Sequence, residues 1–323
     1  MAVNLSHYVD NVRESLKPPV SNKILFDGSQ IKVMIVGGPN QRKDFHVEKG
    51  EELFYMLVGD MDLDIMEDGV VKRIPIDEGN FFLLPACVPH SPQRYANTIG
   101  IVFERERFAN EMDCLRWYVP KDSETKMSDE AESDVLYEEM FHCTDLGTQI
   151  KAVIERFNAS VSAGTIVPNA ASDAAIANYF TRPDNIPSSD FSHFTLKDKC
   201  QELSSGIMQT GAMPTAETVM NSEFRVDLIS NSLPVSLNCE MGGDVFLWQQ
   251  TGESEIYESE QESEAINDIS ARKATVHLKA GEVIHLKRPM LANSSPILVA
   301  QLDLGGVVVC VTNSSIPQPL LDI

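Results

Sequence analysis

Between Lys23 and Arg105 the chain is cut into short apolar or alternating runs, each closed by glycine or proline. Ile31 to Val36 (IKVMIV) is β-branched and stops at Gly37-Gly38. Leu53 to Leu57 runs to Gly59. Met61 to Met66 alternates (MDLDIM) and turns at Asp68-Gly69. Val70 to Ile76 resumes the alternation before Glu78-Gly79. Phe81 to Leu84 ends at Pro85, and Ile99 to Phe103 is a buried-type run. A period of two places apolar side chains on one face of a strand. Short strands at this spacing predict an antiparallel sandwich or small barrel.

The remainder follows from length and pattern. With 323 residues, two domains are expected. Glu111 to Tyr118 and Asp134 to Phe157 carry apolar residues at helix-like spacing and are expected as helices outside the barrel. Residues 158–190 lose periodicity and read as a connector, with a short helix at Asp173 to Phe180. Strand patterns return at about 191. With Gly59 set on Gly252, residues 51–65 lie over 244–258, and Gly79 falls on Gly281. Twenty residues separate the first pair of glycines and 29 the second, the difference being filled by an acidic stretch, Glu258 to Glu264, expected as an exposed loop. Matched turn glycines suggest a duplicated β-domain. The expected division is 1–157, a linker 158–190, and 191–323.

Charge excludes some partners. The net charge is −22 with no basic cluster, which disfavours nucleic acid and anionic membrane. No apolar run is long enough to span a bilayer. The first residues lack a secretory pattern, so a cytosolic location is expected. None of the six cysteines forms a C-x-x-C pair, so a cysteine-ligated zinc or iron site is not signalled.

One constellation carries chemistry: His46-x-Glu48-x3-Glu52-x6-Gly59, then Gly79-x5-Pro85-x-Cys87-x2-His90-x3-Arg94. Two imidazoles and a carboxylate suit a divalent first-row metal. Glu51 competes with Glu52, but on a strand the two face opposite ways. These residues resemble the cupin motifs, G-x5-H-x-H-x3,4-E-x6-G and G-x5-P-x-G-x2-H-x3-N. The chain departs from them at Glu48, Cys87 and Arg94. Glu48 replaces a histidine, which leaves three protein ligands and three adjacent open positions for substrate and O2. The resemblance implies a mainly β protein of two cupin (double-stranded β-helix, jelly-roll) barrels with a few peripheral helices.

The runs PNQRKDFHVEKGEELFYMLVGDM, LPACVPHSPQR and VFERER are similar to the 3-hydroxyanthranilate 3,4-dioxygenase family, most densely over residues 30–107. That resemblance implies iron(II), Fe(2+), held by His46, Glu52 and His90. It also implies ring-opening of 3-hydroxyanthranilate with O2 to 2-amino-3-carboxymuconate 6-semialdehyde, the precursor of quinolinate on the route from tryptophan to NAD. Arg42 and Arg94 would bind the substrate carboxylate and shape the oxygen site. Glu104 would accept a proton from the phenol or amine. A monomer is implied as well. Read without the resemblance, Arg42 and Arg94 are more simply surface salt-bridge partners, for example of Asp44 or Glu48, Asp44 could orient a ligand or an arginine, and Pro92 is most simply a turn residue that could also wall the pocket. In the second half the metal positions fall on Cys239, Val245 and Ala292, so no ligand set is expected there, and His277 and His285 read as structural. Another ring-cleaving dioxygenase, an isomerase and a non-catalytic bicupin remain as alternatives.

Overall fold

The computed structural model describes residues 1–16, 21–28, 30–119, 134–166, 173–181, 193–200, 216–221, 223–230, 235–236, 244–259, 273–287, 297–302 and 306–313. They form two compact units. One comprises Glu14–Lys23 and Met34–His193; the other comprises Met1–Arg13, Ile24–Val33 and Phe194–Ile323.

The first unit is built on eight strands: β1 (Ile31–Gly37, of which Met34–Gly37 belongs here), β2 (Phe45–Val47), β3 (Glu52–Val58), β4 (Met61–Glu67), β5 (Val70–Ile76), β6 (Asn80–Leu84), β7 (His90–Arg94) and β8 (Ile99–Arg105). They divide between two sheets in the orders β1-β8-β3-β6 and β2-β7-β4-β5. This alternation between facing sheets is the jelly-roll of a cupin barrel. Met34, Phe54, Met56, Leu63, Ile65, Phe82 and Val102 fill the space between the sheets. The β4–β5 turn shows why the sequence folds here. Glu67 pairs with Val70, and the residues between them, Asp68 and Gly69, have φ of 52° and 76°. Two successive positive φ values are what a two-residue hairpin needs, and Asp-Gly adopts them readily.

One expected helix is instead a strand, and a second begins as a strand and becomes helical only from Leu146. β9 (Asp113–Tyr118) lies where Glu111 to Tyr118 was read as helical, and β10 (Val135–Phe141) occupies the start of the second expected helix. Both extend the second sheet, in the order β10-β9-β2-β7. The misreading has a physical cause: β9 is covered on both faces. Cys114 packs with Val47, Ala86 and Phe180, whereas Leu115 and Trp117 pack under a helix. A strand buried on both sides loses its in-out alternation. That helix, α1 (Leu146–Ala163), is capped by Asp145 and ends at Gly164. The short helix at 173–180 is present as α2 (Ala174–Tyr179), with Asp173 as its cap. Pro92 lies within strand β7, opposite Leu63, and not in a turn.

The second unit repeats the pattern with β11 (Phe224–Ile229), β12 (Val235–Ser236), β13 (Val245–Thr251), β14 (Glu253–Ser259), β15 (Lys273–Lys279), β16 (Glu282–Leu286), β17 (Ile297–Leu302) and β18 (Val307–Asn313). The sheet orders are β11-β18-β13-β16 and β12-β17-β14-β15, the same jelly-roll. The aligned glycines agree in conformation: φ is 67° at Gly59 and 69° at Gly252, then 85° at Gly79 and 83° at Gly281. Most of the expected acidic loop lies outside the described residues. No described helix is long and apolar enough to cross a membrane.

Candidate active site

The register of the first barrel sets four ionisable side chains together. In the β2–β7 pair His46 is directly opposite His90, and in the β3–β8 pair Glu52 is opposite Glu104. Directly opposed residues project from the same face. One sheet therefore supplies two imidazoles and the other two carboxylates, all buried.

The hydrogen bonds decide which nitrogens are free. Nδ1 of His90 is 3.0 Å from the Val88 carbonyl, and Nε2 of His46 is 2.8 Å from Asp113 Oδ2. The other nitrogens, His90 Nε2 and His46 Nδ1, lie 2.8 and 3.6 Å from Glu52 Oε1. With those two nitrogens unprotonated, that buried oxygen has no hydrogen-bond donor. Leaving such an acceptor bare costs about 1–3 kcal/mol or more. Two imidazole nitrogens and a carboxylate oxygen within 4.8 Å of one another could hold a metal ion, which would satisfy the bare oxygen. With a metal bound, Asp113 would complete a carboxylate–histidine–metal relay, the usual way a ligand's tautomer is set.

Electrostatics follow from burial and neighbours. Burial opposes a charged His46, but hydrogen bonds with Asp113 and Glu52 raise it to about 9. Burial would raise Glu52, yet His90 and His46 hold it well below the usual carboxylate range. Asp113, despite its burial, is lowered to about 2 by His46 and Arg107. Burial pushes Glu104 up against the opposing pull of Arg107. Glu48, in the place of the missing histidine, is pushed well up by burial and lies 2.8 Å from Arg107 Nη2. Its carboxylate groups with Glu52 and Glu104, not with the two histidines.

A cavity of about 360 Å³ opens beside the triad. Alternation along the strands lines it: His90, Pro92 and Arg94 from β7, Val102 and Glu104 from β8, Met34 and Val36 from β1. Ile150 and Ile154 of α1 close one side. Arg42 also lines the cavity and is paired with Asp44 through its Nε at 2.9 Å. Asp44 thus orients an arginine and not a histidine. Arg94 is 5 % exposed, its Nε has no hydrogen-bond partner, and it forms no ion pair among the described residues. Burial, then the neighbouring Arg42, lowers it to about 10.

All six residues singled out from the sequence, Arg42, His46, Glu52, His90, Arg94 and Glu104, line this one cavity. Two residues with buried side chains were missed, Arg107 and Asp113. Arg107 stands in the VFERER run without an assigned role. Asp113 is 67 positions from its partner His46 and heads a segment misread as helix.

The described residues of the second unit lack this set. β13 starts with Val245 where β3 starts with Glu52, and β17, Ile297–Leu302, has no ionisable residue. Cys239 and Ala292 lie outside the described residues. Among the described residues both metal-competent groups belong to the first unit. His285 bonds buried Asp244 at 2.9 Å, and exposed His277 sits 3.1 Å from Glu253.

Residues 1–158 match the family model for 3-hydroxyanthranilic acid dioxygenase. The 3-hydroxyanthranilate 3,4-dioxygenase of Mus musculus is 39% identical over 254 residues, covering 79% of this chain and 82% of the relative. That of Homo sapiens is 50% identical over 153 residues, covering 47% of this chain and 50% of the relative. The structure of salicylate 1,2-dioxygenase from Pseudoaminobacter salicylatoxidans is similar with a TM-score of 0.52 at 9% identity, over 97% of this chain and 81% of that one, a likeness of fold. With a relative matched along most of both chains, and the whole triad inside the span of the family model, this chain belongs to the 3-hydroxyanthranilate 3,4-dioxygenase family.

Proposed function

We propose that the protein opens the ring of 3-hydroxyanthranilate with O2, giving 2-amino-3-carboxymuconate 6-semialdehyde, the precursor of quinolinate on the route to NAD. In this reading His46, Glu52 and His90 hold iron(II). Bound there, the ion supplies one centre at which an electron-rich ring and O2 can react.

The observation that carries the substrate assignment is Arg94. A buried guanidinium that forms no ion pair among the described residues, facing a cavity of about 360 Å³, calls for an anionic ligand. The carboxylate of 3-hydroxyanthranilate meets that need through a charge-assisted pair. Arg42, steadied by Asp44, offers a second cation to the same group. Met34, Val36, Pro92 and Val102 give the ring apolar walls, with Ile150 and Ile154 excluding water. Glu104 faces the ring's polar substituents. Its affinity for protons is raised by burial, which suits it to take the proton from the phenol or amine as that group binds. The second barrel contributes no ligand in this reading. In this reading the first unit, Glu14–Lys23 with Met34–His193, is the catalytic one, and the second is a silent unit of a cytosolic monomer.

The test is oxygen uptake by iron-loaded protein offered 3-hydroxyanthranilate, catechol, gentisate and salicylate in turn. We expect uptake with the first, one O2 per substrate, and a product heavier by two oxygen atoms. Faster uptake with any of the other three would overturn the substrate assignment.

A further inference from the structure

The most heavily engaged side chain at the site is neither a metal ligand nor a residue lining the cavity. Arg107 is buried, with 4 % of its side chain exposed. Its Nε and Nη2 reach Asp113 Oδ1 and Oδ2 at 3.1 and 2.9 Å, a two-pronged grip. Asp113 Oδ2 is the same oxygen that holds His46 Nε2 at 2.8 Å. From its other edge, Nη1 donates to Glu104 Oε2 at 2.5 Å and to the Arg105 carbonyl at 3.3 Å. Nη2 lies 2.8 Å from Glu48 Oε2 as well.

From this geometry we infer that Arg107 is a positioning residue that fixes the metal ligand His46 and the substrate-facing Glu104 in one arrangement. A guanidinium is planar and rigid, so gripping Asp113 along one edge sets where the other edge holds Glu104. Asp113 then dictates which nitrogen of His46 faces Glu52. The side chain follows the end of β8 and meets the first residue of β9, tying together the two strands that carry Glu104 and Asp113. The loop between them has its own fastening. Arg105 Nη1 and Nη2 pair with the two carboxylate oxygens of Glu111 at 2.6 Å each, and Glu111 also accepts from the Phe108 N–H at 2.9 Å. Arg107 is therefore not needed to close the loop, and its contacts are spent on the site. Lysine in its place keeps the charge but cannot serve both carboxylates from fixed directions.

The inference rests on the proposed function for the role of Glu104, so its test has an arm that needs no turnover. Cobalt(II) is titrated into metal-free parent, Arg107→Lys, Asp113→Asn and the double variant, followed by visible absorption. KM and kcat for 3-hydroxyanthranilate are then measured with iron(II). Arg107→Lys and Asp113→Asn should each weaken cobalt binding by about 10–100-fold, the range for lost outer partners of metal ligands. The double variant should bind no more weakly than the weaker single one, because both act through the same contact. Arg107→Lys alone should also raise KM about tenfold or more, through a displaced Glu104. Cobalt affinity within about twofold of the parent in Arg107→Lys, or additive losses in the double variant, would overturn the inference. So would weakened cobalt binding with unchanged KM in an enzyme that turns over. Should the parent bind cobalt but leave 3-hydroxyanthranilate intact, the proposed function fails and the cobalt arm alone decides the role of Arg107. Asp113→Asn keeps the shape of the side chain and removes its charge, so it carries the cobalt test even if Arg107→Lys does not fold: unchanged affinity there refutes the relay.

Discussion

Replacing Arg94 by methionine should make the ligand-free protein more stable and nearly abolish substrate binding. Burial and Arg42 lower this guanidinium from its ordinary value to about 10. At about 1.36 kcal/mol per pH unit, the folded state carries up to roughly 3 kcal/mol of unfavourable charge burial at neutral pH. The sign is that of a base with a depressed folded value. Unfolding lets it bind its proton more tightly, so the penalty is fully present below about 10 and fades above it. Methionine has comparable length and no charge. We expect a gain of about 1–3 kcal/mol, seen as a rise of a few degrees in Tm. Binding should move the other way. Losing one partner of a buried charge pair costs about 2–5 kcal/mol, at least about a 30-fold loss of affinity. Anaerobic titration of the iron-loaded variant with 3-hydroxyanthranilate reads this directly. A folded Arg94→Met that binds substrate within about threefold of the parent, or that loses more than about 1 kcal/mol of stability, would refute the reasoning.

Three further outcomes follow from the same geometry. Because His46 is held at about 9, metal-free protein carries a proton there that a divalent ion must displace. Metal affinity should fall by about tenfold per pH unit below that value, with proton release measurable by calorimetry in buffers of different ionisation enthalpy; a flat profile between pH 6 and 8, about two units, would count against it. Cys87 occupies the left-handed region, φ 62°, at the motif's glycine position. Cys87→Gly should exchange relief of about 1 kcal/mol of strain for a lost buried thiol, leaving Tm and turnover close to the parent, and a large fall in Tm would contradict this. Asp244 is fully buried and accepts from the Gln30 and Ile31 N–H groups and from His285. Asp244→Leu should therefore cost about 2–4 kcal/mol in denaturant unfolding while leaving metal affinity unchanged.

The two barrels and the triad were legible because each depends on local signals. Turn glycines, alternating runs and the spacing from His46 to Glu52 all act within a few residues, and the structure keeps them: Gly59 and Gly252 share a conformation, and Glu52 opens β3. β9 was illegible because its periodicity is erased by cover on both faces, by Phe180 on one side and α1 on the other. β7, HSPQR, carries no strand signature of its own and is held by its neighbours, with His90 opposite both His46 and Ile65. The residues around the site were hidden for a different reason. Asp113 and Arg107 act through long-range register, and no spacing rule connects Asp113 to a histidine 67 positions earlier.

The central claim is that one metal, held in the first barrel by His46, Glu52 and His90, carries the reaction. Iron bound per chain and turnover of 3-hydroxyanthranilate, measured together for the parent and for His46→Ala, Glu52→Ala and His90→Ala, test it most directly. The account predicts one iron per chain in the parent, turnover in proportion to it, and loss of both in all three variants. Retained turnover in any folded variant, or a parent whose activity does not follow its iron, would contradict it.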